Sequence, residues 1–347
     1  MTPSARDSVD WHYANKVGVA LVRPGPPISD YTSRQVIDEL EWAAQRAQGP
    51  VAEVTGLSGR APVGETLIVD RPGWISATCD SLPGLLADGR RTGRPLSQMV
   101  AGRLVGAQAG AVLAFTASMV LGQFDPFADD GGRLLLIYPN VIAVERNLKV
   151  PTRDFRLWVC LHEVCHRVQF AANPWLPGYL SQTVAEFADG RSDGIVPLVT
   201  RLAGLVRGSK DPATGAANGG MLAAVRAVVS DAQRDALDRL VVLGTLLEGH
   251  ADHVMDAVGP SQVPSVVLIR SRFEGLRRRR QSPTQRVIRA LLGIDVKLGQ
   301  HIRGKAFVDS IVAQVGMARF NTVWTDRTTL PLPEEIEDPQ RWIDRVL

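Results

Sequence analysis

"LWVCLHEVCHRVQF", residues 157 to 170, carries His162, Glu163 and His166 in the order His-Glu-x-x-His. Phe155, Trp158, Val159, Leu161, Val164, Val168 and Phe170 give this segment a wide apolar surface, and Asn173-Pro174 stops it. The pattern predicts a mostly buried helix over Arg153–Phe170, with Thr152 and Asp154 supplying capping and dipole-compatible chemistry at its start. Positions four apart on a helix differ in direction by about 40°, so His162 and His166 project side by side and can grip one ion. Zinc accepts imidazole nitrogen at about 2.0 to 2.1 Å, while the glutamate of such a pentad reaches a water rather than the metal, the division of labour that hydrolysis needs. Two structural histidines beside an exposed glutamate form the competing reading. Against it stands the cost of leaving buried polar groups without partners, about 1 to 3 kcal/mol each.

A catalytic zinc takes three protein ligands and leaves a fourth position open. The chain has six histidines, and the third ligand must come from downstream. Glu186, in "TVAEFADG", lies twenty residues after His166 with Asp189 three further on. Glu248, in "GTLLEGHADHVMD", is followed by His250, Asp252, His253 and Asp256 and preceded by the apolar run "LVVLGTLL". The second group is chemically denser, and Glu248 and Asp252 share a helical face. One can bind metal while the other, with His250 nearby, accepts the free ring N–H of a ligand histidine. Glu248 is therefore favoured over Glu186 and over His250 or His253. His12 and His301 lack carboxylate neighbours and are expected to be structural.

"LHEVCHRVQF" with "NPW", then "TLLEGHADHVMDAVG", "LIRSRFEGLRRRR" and "GIDVKLGQHIRGKAFV", resemble an actinobacterial zinc-dependent metalloprotease-like family. Gene context links some of its members to deazaflavin-coenzyme biosynthesis. The likeness extends to "VDWHYANKVG" near the start and "LPEEIEDPQRWIDRV" at the end. It implies a zincin-like fold of the glutamate-ligand type, with His162, His166 and Glu248 on zinc and Glu163 as general base. It supplies no substrate.

Composition sets the outer limits. Hydrophobic residues make up 45% of the 347 and charged residues 22%, as in a folded globular protein. The net charge of +3 is too small to imply a polyanionic partner. It is unevenly placed: Arg270 to Lys305 holds eleven basic residues, Arg277 to Arg280 among them, against two acids, and Asp326 onward holds six acids against three arginines. Opposite blocks of this kind suit each other or water, and no nucleic-acid partner is expected. Cys79, Cys160 and Cys165 are odd in number and read as small hydrophobes. "MTPSARDSVDWHYANKVG" has no signal-peptide core, so a cytoplasmic location is expected. Leu104 to Gly122 carries no formal charge, yet it is barely long enough for a membrane and repeats glycine at 102, 106 and 110. It is read as a buried helix closely approached by another, and no membrane partner is expected.

Further helices are expected at Tyr31 to Gln48, Leu176 to Ala188, Met221 to Val229, Ala232 to Asp256 and Ser282 to Leu292. "DRPGW" at 70–74 reads as a turn, and Arg133 to Glu145 as a buried strand or two broken at Pro139-Asn140. The expected class is α+β, mainly helical, with a central pentad helix and a small sheet. A mostly helical region over 1–130 would precede a catalytic region over 131–347. The functional expectation is zinc-dependent hydrolysis of a peptide or protein substrate, with Leu134 to Tyr138 offering a sheet edge to the peptide; the sequence singles out no oxyanion donor, Arg167 and Tyr179 being candidates that exposed or packing roles explain as well. The alternative is a catalytically inactive zinc-binding scaffold or interaction protein.

Overall fold

The structure, a computed structural model, describes residues 9–57, 64–85, 96–129, 131–188, 230–278 and 294–347. Within these, the side chains of 96–101, 274, 276–278 and 294–301 are left aside. Expected helices at 221–229 and 282–292, Asp189, the ring of His301 and the side chains of Arg277 to Arg280 lie outside what is described. The chain divides into two compact units, Met1–Ser181 with Val254–Arg277 and Gln182–His253 with Arg278–Leu347.

In the first unit the pentad segment is helical from Thr152 to Ala172 (α6). Its cap differs from expectation: Thr152 makes no capping bond, and the carboxylate of Asp154 instead accepts from the backbone N–H (2.9 Å) and hydroxyl (2.6 Å) of Ser265. Leu157, Val159, Leu161 and Val164 are buried, and the helix packs along α2 (Asp30–Thr55). On α2 the buried positions Val36, Leu40, Ala43, Ala44, Ala47 and Val51 follow the helical period, and the three alanines allow a close approach. The α2 helix outlasts its expected end at Gln48. It runs through Pro50 because Val51 and Thr55 are buried, and stops at Gly56, whose φ of 61° suits glycine. Arg156 ties three helices together. Its guanidinium donates twice to Glu145 (3.0 and 2.7 Å), on α5 (Tyr138–Leu148), and once to Glu39 on α2.

A three-stranded sheet lies against the same core in the order β1 (Glu65–Val69), β3 (Arg133–Ile137), β2 (Gly122–Asp125). β1 is parallel to β3 and β2 antiparallel to it. Leu134 to Ile137 are fully buried, which is what an unbroken apolar run implies. Two expectations change here. The run from Arg133 to Glu145 is one strand followed at once by α5, because Pro139 occupies a first-turn position where its missing N–H costs nothing. And Leu134 to Tyr138 offers no edge, since β3 is paired on both sides. "DRPGW" is likewise a helix start: Asp70 Oδ1 accepts from Gly73 N (2.7 Å) and α3 runs Arg71–Leu85.

The uncharged glycine-repeat segment lies on α4 (Leu96–Thr116), against α1 (Trp11–Leu21). A Cβ on Gly106 would stand 2.6 Å from Asp10 O, and one on Gly110 2.4 Å from Ala14 O, so the repeat exists to let two backbones meet. Leu104 and Val112 face solvent, so the helix is buried along one side only. No helix among the described residues is long and apolar enough to cross a membrane.

The second unit centres on aromatic packing between α8 (Asp231–Gln262) and α10 (Ile294–Phe320). A Cβ on Gly249 would fall 2.1 Å from the carbonyl carbon of Gly304, so these helices cross at backbone contact. Phe307, Phe320, Trp324 and Trp342 fill the core beside them. The short C-terminal helices α11 (Pro333–Glu337) and α12 (Pro339–Val346) are joined by Arg345, which donates to both oxygens of Glu335 (2.6 and 2.8 Å). Between them, α7 (Leu176–Ala188) and α8 carry the boundary of the two units, and α9 (Val266–Arg278) belongs to the first.

Candidate metal centre

On α6 the two imidazoles meet edge to face, their Nε2 atoms 3.2 Å apart. Each ring is fixed from behind. His166 Nδ1 lies 2.9 Å from Oε1 of Gln169, and His162 Nδ1 lies 3.3 Å from Sδ of Met255 on α8. Gln169 is wholly buried, and its carbonyl accepts from Asn173 Nδ2 (2.7 Å). An amide oxygen accepts, so the His166 proton resides on Nδ1 and the Nε2 lone pair points toward His162. Two imidazole nitrogens held each at about 2.0 to 2.1 Å from a tetrahedral zinc stand about 3.3 to 3.4 Å apart, close to the spacing found. A cation between them turns a lone-pair repulsion into two bonds.

Glu248 is buried (8% exposed) on α8, two helical turns before Met255 and on the same face, with the bend at Gly259 beyond both. Two imidazoles and a carboxylate are a donor set that fits zinc with one position to spare. Asp252, one turn after Glu248 on that face, is half-buried.

Glu163 is 7% exposed, at the edge of the same helical face, and stands over the start of β2. A Cβ built on Gly122 would lie 2.6 Å from Glu163 Cγ and 3.0 Å from its Oε1. Burial, with the Glu163 charge adding to it, pushes the neighbouring Cys160 thiol far up, and Cys79 is pushed up to about 11 by burial and by Asp80, so both stay protonated and inert.

The other candidates have different surroundings. Glu186 on α7 accepts from Arg239 Nη2 (2.5 Å) and Gln182 Nε2 (3.0 Å), and the Arg239 bond holds its carboxyl below the ordinary value. His250 is fully buried between Phe320 (5.7 Å) and Trp324 (5.4 Å). His253 Nδ1 is 2.6 Å from Asp309. His12 is exposed. Arg167 is buried with its Nη1 on Thr66 of β1 (3.2 Å), turned to the sheet, and Tyr179 packs on Trp175. Of the basic block, Arg270 pairs with Asp256 (2.6 Å), Arg272 donates to Leu148 O (2.9 Å), and Arg303 reaches Glu337 of the acidic tail (3.2 Å). Sequence reasoning missed Gln169, Met255 and Gly122. Only Gln169 carried a local signal, standing one helical turn beyond His166.

Comparison with known proteins follows the same lines. A crystal structure of a candidate hydrolase with a novel fold, from Chloroflexus aurantiacus, superposes with a TM-score of 0.68 at 27% identity, over 97% of this chain and 98% of that one. A search of curated proteins finds no match. The family model for zincin-like metallopeptidases matches residues 9–343, which include the pentad, Gln169 and Glu248. Spanned by that model over nearly its whole length, the chain belongs to the zincin-like metallopeptidase family.

Proposed function

We propose that the protein is a zinc-dependent peptidase in which His162, His166 and Glu248 hold the metal, Glu163 is the general base and Asp252 helps to orient a ligand. The observation that carries this reading is the pair of facing Nε2 atoms, each ring fixed from behind at Nδ1. Zinc in that set would supply Lewis acidity toward a scissile carbonyl and acidify a water. Glu163 takes the proton from the attacking water and delivers it to the departing amine, and its burial keeps bulk water from competing for that proton.

The substrate edge in this reading is β2. Ile137 N donates to Leu121 O (2.9 Å), so in the antiparallel register Leu121, Gln123 and Asp125 turn their backbone groups to β3. Gly122 and Phe124 turn theirs outward, and no described strand pairs with that side. An extended peptide adding there lies alongside the residue that touches Glu163.

Replacement of Glu163 by Gln tests the reading. Zinc content should stay near wild type while peptide hydrolysis falls by about 10²- to 10⁴-fold, the range of a lost general base. Undiminished hydrolysis would remove Glu163 from the chemistry. A wild-type protein that binds zinc yet cuts no peptide would favour the scaffold reading.

A further inference from the structure

We infer that Gly122 is the positioning residue of Glu163: the absence of a side chain at the first residue of β2 makes the space in which the carboxylate stands. The inference rests on the proposed role of Glu163 and adds the residue that sets its place. The three atoms nearest a Cβ on Gly122 all belong to Glu163, Cγ at 2.6 Å, Cδ at 2.8 Å and Oε1 at 3.0 Å. Real Cβ contacts are essentially never shorter than about 3 Å, so alanine and carboxylate cannot both occupy the site as it stands. Backbone conformation gives no separate reason for glycine, because Gly122 is absent from the positive-φ residues.

Which partner would yield follows from how each is held. β2 is fixed on both sides of Gly122. Leu121 O accepts from Ile137 N, Gln123 Oε1 accepts from the buried Trp74 indole (3.0 Å), and Asp125 is bound by Ser81 and Arg133. α6 is fixed by Arg156 at one turn and by Asp154 on Ser265 at another. The free element is the Glu163 side chain, with its rotatable bonds. A methyl group on residue 122 therefore moves the carboxylate and leaves the strand and helix in place. His162 and His166 are fixed by Met255 and Gln169, whereas the three atoms nearest a Cβ on Gly122 all belong to Glu163, so the change falls on the carboxylate before the metal ligands.

Two measurements decide it, one of them independent of hydrolysis. In metal-free protein, Gly122→Ala should lower the thermal midpoint in the wild-type background and lower it by less than half as much in Glu163→Ala, where the space has been vacated. Equal losses in both backgrounds overturn the inference, whatever the protein's activity. In zinc-loaded protein, Gly122→Ala should retain full zinc stoichiometry and near-normal KM while kcat falls about 10²-fold, the scale of a misplaced catalytic group. The shorter carboxylate should relieve this: Gly122→Ala should impair Glu163→Asp less than it impairs wild type. Unchanged kcat, or a loss confined to KM or zinc content, overturns the positioning role. A wild-type protein that cuts no peptide refutes the peptidase reading by itself, and the thermal cycle still decides whether Gly122 holds the carboxylate.

Discussion

The pentad on α6 and the segment "EGHADH" on α8 hold similar chemistry and use it in opposite ways. On α6 two histidines four residues apart turn their Nε2 atoms to one point, and each Nδ1 is occupied by a neighbour. On α8 His250 and His253 lie three apart and diverge, one into an aromatic stack and the other onto Asp309. Density of ionisable residues along a sequence is therefore a poorer guide to a metal site than their angular spacing. The face decides. Glu248 and His250 are two residues and about 200° apart on a helix, so proximity in sequence puts them on different sides.

Removing the convergent pair should have the largest effect. His162→Ala and His166→Ala should each abolish stoichiometric zinc binding after dialysis, because two of three ligands hold zinc weakly, as metal analysis would show. Full retention in both would reduce the two groups of histidines to equals. Next come the groups behind and beside the ligands. Glu248→Ala should weaken zinc binding severely, Asp252→Ala and Gln169→Leu by about 10- to 100-fold, and Glu186→Ala hardly at all. Competition with a chromogenic chelator measures the four constants, and a larger loss for Glu186→Ala than for Glu248→Ala would move the third ligand to α7.

His250→Ala should do the reverse of a ligand mutation. Emptying a fully buried ring site should destabilise the fold by about 2 to 4 kcal/mol with zinc affinity kept, read from denaturant titration and the same chelator assay. Lost zinc affinity at unchanged stability would return His250 to the metal site. The smallest effect belongs to His253 and Asp309. Burial alone would raise the pKa of Asp309, but hydrogen bonds from Lys305 and His253 outweigh it and hold the carboxyl below its ordinary value. A carboxyl depressed on folding stabilises above its unfolded pKa of about 3.9 and loses that contribution as pH falls through the lower folded value. Asp309→Asn should thus cost under about 1 kcal/mol at neutral pH, because solvent screens a half-exposed group, and less still below pH 4. A cost that grows on acidification would reverse the sign.

Elements governed by local periodicity were legible in the sequence. α7 begins and ends at its expected residues, and α6 exceeds its expected range by one residue at the start and two at the end. Elements governed by tertiary pairing were not. β1 gave no signal, since "ETLIV" is short and only half-buried. Arg133 to Glu145 changes from strand to helix within one apolar run, and only the first-turn position of Pro139 marks the switch. The site divides in the same way. His162, Glu163 and His166 are one helical motif, whereas Met255 and Gly122 meet them through contacts that span 93 and 41 residues, and no spacing rule reaches so far.

Cys160 and Cys165 are fully buried on α6, one on either side of the pentad's first histidine. A thiol reagent reaches them only when α6 parts from its neighbours, so the rate of their alkylation is a clock for that opening. Whatever binds His162 and His166 in the closed form slows the clock by the factor it adds to closure. The helix thus carries its own chemical reporter of occupancy, readable by mass spectrometry without any substrate in hand.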